Sequence, residues 1–184
     1  MNLSVLPPNL PIPEDDGRCS HLLGKIIPNI SLPNQDDIYR KLKRPDSFRI
    51  VLYCYPMTGN PKKSLPSNWN NIPGARGCTP QTCSFRDHYD DLVKCNAIPI
   101  GLSTQLVPEL KEMVTRLLVP YDIVSDSGLK FSRLMDLPTF KIENIVYLKR
   151  LTLIIERSII KKVFYPIFPP DLHIDEVLEW LKKN

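Results

Sequence analysis

The sequence has no apolar run near the roughly 18 residues that a membrane-spanning helix needs. Its longest apolar runs, Ile50–Tyr55 and Leu151–Ile155, have the length of β-strands. Residues 1–13 also lack the basic start and the long apolar core of a secretion signal. No membrane segment is predicted, and a cytoplasmic location is expected.

The sequence also lacks a strong excess of charge of one sign. Its 24 basic and 20 acidic residues leave a formal net charge of +4, and the two signs are mixed along the chain. Nucleic-acid-binding proteins concentrate Lys and Arg on one face, so no nucleic-acid partner is predicted. Glycine is scarce, at 7 of 184 residues, whereas the 19 prolines are spread over presumed loops and indicate stiff connections.

The five cysteines form neither a Cys-x-x-Cys motif nor an even-numbered set: Cys19, Cys54, Cys78, Cys83 and Cys95. In a cytoplasmic protein this pattern does not indicate a disulfide framework. Most of these side chains are expected to be small buried apolar groups, as Cys54 is within its apolar run.

Apolar runs alternate with amphipathic segments, which predicts an α/β fold: a central mixed β-sheet with helices on both faces. The predicted strands are Ile50–Tyr55, Ala97–Ser103, Tyr121–Ser125 and an antiparallel pair, Leu151–Ile155 and Ile160–Phe164. The predicted helices are Pro80–Lys94, Pro108–Leu118, Gly128–Met135 and Asp171–Lys183.

The chain is divided into an extended N-terminal arm, residues 1–20, and one domain, residues 21–184. Within the domain, residues 57–77 form a long segment rich in Pro, Asn, Ser and Gly. Structureless segments of this length inside a domain are uncommon and usually functional. This one leads directly to Cys78.

Cys78 lies where a helix is expected to begin, with Thr79 as a plausible N-cap and Pro80 as the first helical residue. The unpaired N–H groups of a helix start favour negative charge, so the position favours a thiolate. Arg76 could add positive potential.

Cys78 and Cys83 are five positions apart. On a regular helix their Cα atoms would lie roughly 8–9 Å apart on opposing faces. A disulfide needs Cα atoms within about 7 Å, so bonding requires the first turn to unwind. That suits a catalytic pair better than a structural bridge. Two other uses remain open, a zinc site or a Cys–His hydrolase, for which the candidate partners are Cys19, His21, His88 and His173.

The run from Gly77 to Asp87, Gly-Cys-Thr-Pro-Gln-Thr-Cys-Ser-Phe-Arg-Asp, resembles the active-site segment of peroxiredoxins of the bacterioferritin-comigratory-protein, or peroxiredoxin Q, group. Weaker similarity continues through residues 100–104, 123–126 and 149–155. The resemblance implies a thioredoxin-like fold and a thiol peroxidase that needs no metal or other cofactor.

The resemblance also assigns residues. Cys78 corresponds to the peroxidatic cysteine, which forms a sulfenic acid, and Cys83 to the resolving cysteine, which forms a disulfide with it. Arg150 corresponds to the arginine that holds the thiolate and the peroxide; by itself it would be interpreted as a solvated residue at a strand start. Pro56, which otherwise reads as a strand terminator, and Thr79 are assigned to the substrate pocket. The implied partners are a peroxide and thioredoxin or a similar dithiol, with a monomer expected.

The sequence departs from the family motif in two ways. The spacing between Pro56 and Cys78 is much longer than usual, and Ala75 stands where the family has a hydroxyl residue. We hypothesise that Thr58 folds back to supply that hydroxyl in the substrate pocket. Two alternative functions stay open: a dithiol oxidoreductase or redox sensor of the same fold, and a binding module in which Trp69 makes the contact.

Overall fold

The computed structural model describes Leu3 and residues 5–43 and 48–184. Its strands are β1 (Ser31–Pro33), β2 (Tyr39–Lys41), β3 (Arg49–Cys54), β4 (Ala97–Ser103), β5 (Ile123–Ser125), β6 (Thr139–Ile142), β7 (Ile145–Leu148), β8 (Leu151–Glu156) and β9 (Ile159–Phe164). Its α-helices are α1 (Cys78–Asp87), α2 (Tyr89–Lys94), α3 (Val107–Leu117), α4 (Lys130–Met135) and α5 (His173–Lys183). A short 3-10 helix spans Trp69–Asn71.

Five strands form the central sheet, in the order β5-β4-β3-β8-β9. β3 runs parallel to β4, and β4 parallel to β5, whereas β8 is antiparallel to both β3 and β9. Alternate residues of β3 enter two separate cores: Leu52 packs in one with α4, and Tyr53 in the other with α1, α3 and α5. Because helices cover both faces, β3 is apolar at successive positions and not only at alternate ones. The predicted α/β class with a mixed sheet is confirmed.

The helix predicted over Pro80–Lys94 is wrong in two respects. It is divided at His88 into α1 and α2, and α1 begins earlier, at Cys78, with Gly77 as its N-cap. Gly77 has a φ of 97°, a conformation that side chains disfavour, and its carbonyl accepts the Gln81 N–H at 3.0 Å. Thr79 is therefore not the N-cap but a buried residue of the first turn.

Residues 57–77 are packed onto the domain through an aromatic cluster. Trp69 is buried, with its ring centroid 5.0 Å from that of Tyr147 on β7 and 6.0 Å from that of Phe140 on β6. The contacts hold the segment against the β6 and β7 strands and leave Trp69 inside the fold. None of the described helices is long and apolar enough to cross a membrane.

Candidate active site

Cys78 occupies the first position of α1 and is buried, with 3% of its surface exposed. Its Sγ accepts a hydrogen bond from Arg150 Nη2 at 3.1 Å, and its thiol donates to the Ala75 carbonyl at 3.5 Å. Ala75 stands where the family motif has a hydroxyl residue, and it contacts the Cys78 thiol through its backbone carbonyl and not through a side chain. The sulfur sits where the helix start and a guanidinium both favour negative charge.

The Gly77 backbone fixes the entry to this helix. A β-carbon added there would lie 2.3 Å from Pro170 Cγ and 2.9 Å from Leu6 Cδ2, far inside van der Waals contact. Together with the positive φ, this close approach excludes any other residue without a local rearrangement. Gly77 thus sets the direction in which Cys78 enters the site.

Arg150 precedes β8 and is almost fully buried, with 3% exposed. Besides Cys78, its guanidinium donates to the carbonyls of Arg76 at 2.9 Å and Gly74 at 3.2 Å, and to the side-chain oxygen of Gln81. The interpretation of Arg150 as a solvated residue is wrong, because the side chain is buried. Its hydrogen bonds compensate for the loss of water around the charge. The same bonds point the guanidinium at the sulfur.

Gln81 is a site residue that the sequence analysis missed. It lies one helical turn after Cys78, is fully buried and accepts a hydrogen bond from Arg150. The only available signal is its spacing, since residues three apart on a helix share a face. Among the described residues, Gln81 Nε2 has no hydrogen-bond partner.

The three predicted pocket residues lie in different places. Thr79 lines the crevice beside Cys78. Pro56 is buried, and its carbonyl accepts a hydrogen bond from Ser103 Oγ at 3.1 Å. The Thr58 hydroxyl instead donates to Gln105 Oε1 at 3.1 Å, and its neighbours Met57 and Gly59 line the Cys78 crevice. The structure therefore does not bring the Thr58 hydroxyl together with Cys78.

Cys83 is on the same helix as Cys78 and is half-buried, and both cysteines are free thiols. Burial raises the pKa of Cys83, and the nearby Arg86 opposes this shift. With α1 intact, the two Cα atoms lie beyond disulfide range by helix geometry. Any bond between them requires the first turns of α1 to open.

Two of the other cysteines are buried groups of low reactivity. Burial raises the pKa of Cys19 to about 12 and that of Cys54 well above its ordinary value. A thiol that stays protonated is a poor nucleophile. Within the described residues, no three His, Cys, Asp or Glu side chains lie together as a possible metal site.

A buried histidine lies behind Arg150. His173 Nε2 is 3.0 Å from Thr152 Oγ1 and its Nδ1 is 3.3 Å from Glu176 Oε2. Burial, and secondarily the charge of Arg150, lower the pKa of His173 to about 3. The ring is therefore neutral at pH 7, and its contact with the exposed carboxylate of Glu176 is a hydrogen bond without a second full charge.

The buried His173 predicts that the free energy of unfolding falls in acid. Its pKa is about 3 when folded and 6.5 when unfolded, so between these values the unfolded chain binds more protons. The His173 contribution is complete above pH 6.5. Below pH 6.5, the free energy of unfolding falls by up to about 1.4 kcal/mol for each pH unit because of His173. We expect His173→Gln to flatten this dependence in urea unfolding compared at about pH 7 and about pH 5.

His88→Gln is the matched control, since it removes a half-buried histidine that lies between α1 and α2 and is hydrogen-bonded to Ser84 O at 2.9 Å. That variant should keep the wild-type dependence. An equal pH dependence in wild type and His173→Gln would contradict the prediction.

The AhpC/TSA family profile matches residues 70–163, which are 94 of the 184 residues. The chain is 26% identical over 182 residues to the chloroplastic peroxiredoxin Q of Oryza sativa subsp. japonica, covering 96% of this chain and 76% of the relative. It is 28% identical over 160 residues to the chloroplastic peroxiredoxin Q of Arabidopsis thaliana, covering 86% and 66%.

Solved structures show the same fold. Peroxidoxin BcpB from Mycobacterium tuberculosis superposes with a TM-score of 0.72 at 22% identity, covering 88% of this chain and 96% of the other. The bacterioferritin comigratory protein of Xanthomonas campestris, studied for its alkyl peroxide reduction activity, superposes with a TM-score of 0.68 at 17% identity, covering 88% and 98%.

Proposed function

The chain belongs to the AhpC/TSA family, and from this premise we propose that it is a thiol-dependent peroxidase in which Cys78 reacts first and Cys83 resolves the product. The expected resemblance to peroxiredoxins of the bacterioferritin-comigratory-protein and peroxiredoxin Q type is confirmed. The observation that carries the assignment of Cys78 is its 3.1 Å contact with the buried guanidinium of Arg150 at the start of α1.

In the first step, the Cys78 thiolate attacks one peroxide oxygen. An S–O bond forms and the O–O bond breaks, so the sulfur is oxidised to a sulfenic acid. The departing oxygen takes the electron pair and a proton and leaves as water or an alcohol. Arg150 and the N–H groups of α1 stabilise the negative charge on both the sulfur and the departing oxygen.

In the second step, the Cys83 thiolate attacks the Cys78 sulfur, an S–S bond forms, and the hydroxyl of the sulfenic acid takes a proton and leaves as water. Helix geometry requires α1 to open before this step. Since burial raises the pKa of Cys83, opening the helix also makes that thiol easier to ionise. Two electrons from a dithiol then reduce the disulfide, and thioredoxin is our proposed donor.

A redox sensor of the same fold is the second candidate. Ala75 in place of a hydroxyl residue, and the deep burial of Cys78, favour slow oxidation over rapid turnover. A sensor would form the same disulfide once but would not consume peroxide catalytically.

The test is peroxide consumption by the purified protein with excess dithiothreitol, and separately with thioredoxin and its reductase. We expect sustained turnover with both reductants and, after oxidation without reductant, a peptide pair linked through Cys78 and Cys83. Stoichiometric oxidation without turnover would support the sensor. No thiol oxidation at all would contradict both.

Location and assembly stay predictions. The sequence leads us to propose a cytoplasmic monomer, while the curated plant relatives are named as chloroplastic. Fractionation and light scattering measure the two properties.

A further inference from the structure

The N-terminal arm contributes to the lining of the Cys78 crevice. Leu3 lines this crevice together with Met57, Leu65 and Trp69 of the 57–77 segment. A β-carbon added at Gly59 would lie 3.0 Å from Leu3 Cδ1 and 3.1 Å from Leu65 Cδ2, so both leucines rest directly on Gly59. The arm therefore supplies part of the cover over the thiol.

Two further contacts continue the path of the arm. Leu6 Cδ2 would lie 2.9 Å from a β-carbon at Gly77, the residue that precedes Cys78. Pro13 Cβ would lie 3.6 Å from a β-carbon at Gly74, whose carbonyl accepts a hydrogen bond from Arg150. The missing β-carbon of Gly77 lets Leu6 approach the site closely, whereas Pro13 is in ordinary van der Waals range of Gly74.

The arm is anchored beside Arg150. Asp16 forms an ion pair with Lys149 at 2.7 Å and accepts a hydrogen bond from Tyr165 Oη at 2.7 Å. The Lys149 contact lowers the pKa of Asp16 to about 2, so the anchor is charged at pH 7. Leu3 and Leu6 thus lie beyond a fixed point, on the side of the arm that reaches the Cys78 site.

The crevice has a volume of only about 10 Å³. That is about the smallest space that holds one water molecule, so a bulky hydroperoxide has no room beside the sulfur while this lining stays in place. Trp69 is held by the aromatic cluster with Tyr147 and Phe140. By contrast, the described arm residues 3 and 5–16 contain no helix or strand, and Leu3 and Leu6 are half-buried. The arm is the part that can move at the lower cost.

We propose that Leu3 and Leu6 form a size-selective lid, which admits hydrogen peroxide to Cys78 more readily than bulky organic hydroperoxides. This inference rests on the proposed peroxidase function. Leu3 lines the crevice itself and Leu6 packs on Gly77, directly before Cys78, so an aryl or long alkyl group is expected to displace more of this cover than hydrogen peroxide does.

The test compares a Leu3→Ala, Leu6→Ala double variant with wild type and with Val5→Ala. Val5 is 61% exposed and serves as the matched control on the same segment. The measured quantity is the ratio of the rate constant for cumene hydroperoxide to that for hydrogen peroxide. We expect this ratio to rise about tenfold in the double variant and to stay at the wild-type value in Val5→Ala. An unchanged ratio, including one in which both rates rise equally, would overturn the proposed selectivity.

A second measurement separates failure of the lid from failure of the peroxidase. A bulky maleimide is added to each reduced variant, and its coupling to the Cys78 peptide is followed by mass spectrometry. The lid predicts faster labelling of Cys78 in the double variant only, with equal labelling of Cys95 in all three. Unchanged labelling with normal peroxide turnover would reject the lid alone. Faster labelling without any peroxide reaction would support the conclusion that Leu3 and Leu6 cover the thiol. It would contradict both the proposed peroxidase function and the proposed substrate selectivity.

Discussion

Replacing Cys78 by serine is expected to abolish catalytic peroxide consumption, with a fall of at least about a thousandfold, or about 4 kcal/mol in the barrier. The reason is that a serine hydroxyl beside Arg150 does not ionise near pH 7 and cannot attack the O–O bond as a thiolate does. The measurement is the initial rate of hydrogen peroxide loss with dithiothreitol in excess.

Cys83→Ser is expected to give a different result in the presence of thioredoxin alone. Cys78 is still oxidised, so one equivalent of peroxide is consumed rapidly, but no intramolecular disulfide forms and turnover stops. Cys95→Ser is the matched control, because Cys95 is also half-buried and lies at the end of α2. It should turn over like wild type. Continued turnover in Cys83→Ser would show that another thiol resolves the sulfenic acid.

Replacing Arg150 by methionine is expected to lower the rate constant for peroxide about 100- to 1,000-fold, the usual cost of removing one preorganised donor from developing charge. The substitution removes the guanidinium that donates a hydrogen bond to Cys78 Sγ at 3.1 Å. It also leaves the Arg76 and Gly74 carbonyls without that donor, so thermal unfolding must be measured alongside the rate.

Two further variants test whether the rate depends on the orientation of the Arg150 guanidinium as well as on its positive charge. Arg150→Lys keeps a charge but cannot bond Gln81, two carbonyls and the sulfur together, so we expect only partial recovery. Gln81→Leu keeps the guanidinium but removes an acceptor that orients it, and should lie between wild type and Arg150→Met. Arg133→Met on α4 is the exposed control. A folded Arg150→Met protein with the wild-type rate would remove Arg150 from the mechanism.

The parts of the fold that could be predicted are those with strong local patterns. The apolar run of β3 indicates a strand buried on both faces, and the apolar faces of α3 and α5 predict helices whose ends fall within a residue or two of those observed. β1 and β2 were missed because each has three residues, and every residue of β2 is exposed. The β6–β7 hairpin was also missed, since its four-residue strands are only partly buried.

The candidate site divides in the same way. The residues next to Cys78 indicate a helix start, so its position there could be predicted. Only the N-cap was wrong, since it is Gly77 and not Thr79. The contact between Arg150 and Cys78 joins residues 72 positions apart, and only family resemblance suggested it. Nothing in the local pattern of Leu3 or Leu6 indicates that they lie on Gly59 and Gly77, because that contact depends on the finished fold.

The packing of Leu6 and Pro170 on Gly77 also bears on the redox equilibrium of the chain. These contacts exist while α1 is intact, which is the dithiol state, and we expect them to loosen when the helix opens to let the two sulfurs join. Thermodynamic linkage then requires that they stabilise the dithiol relative to the disulfide and so raise the reduction potential of the pair. A segment that slows entry of the oxidant would thereby make the oxidised chain easier for its dithiol donor to reduce.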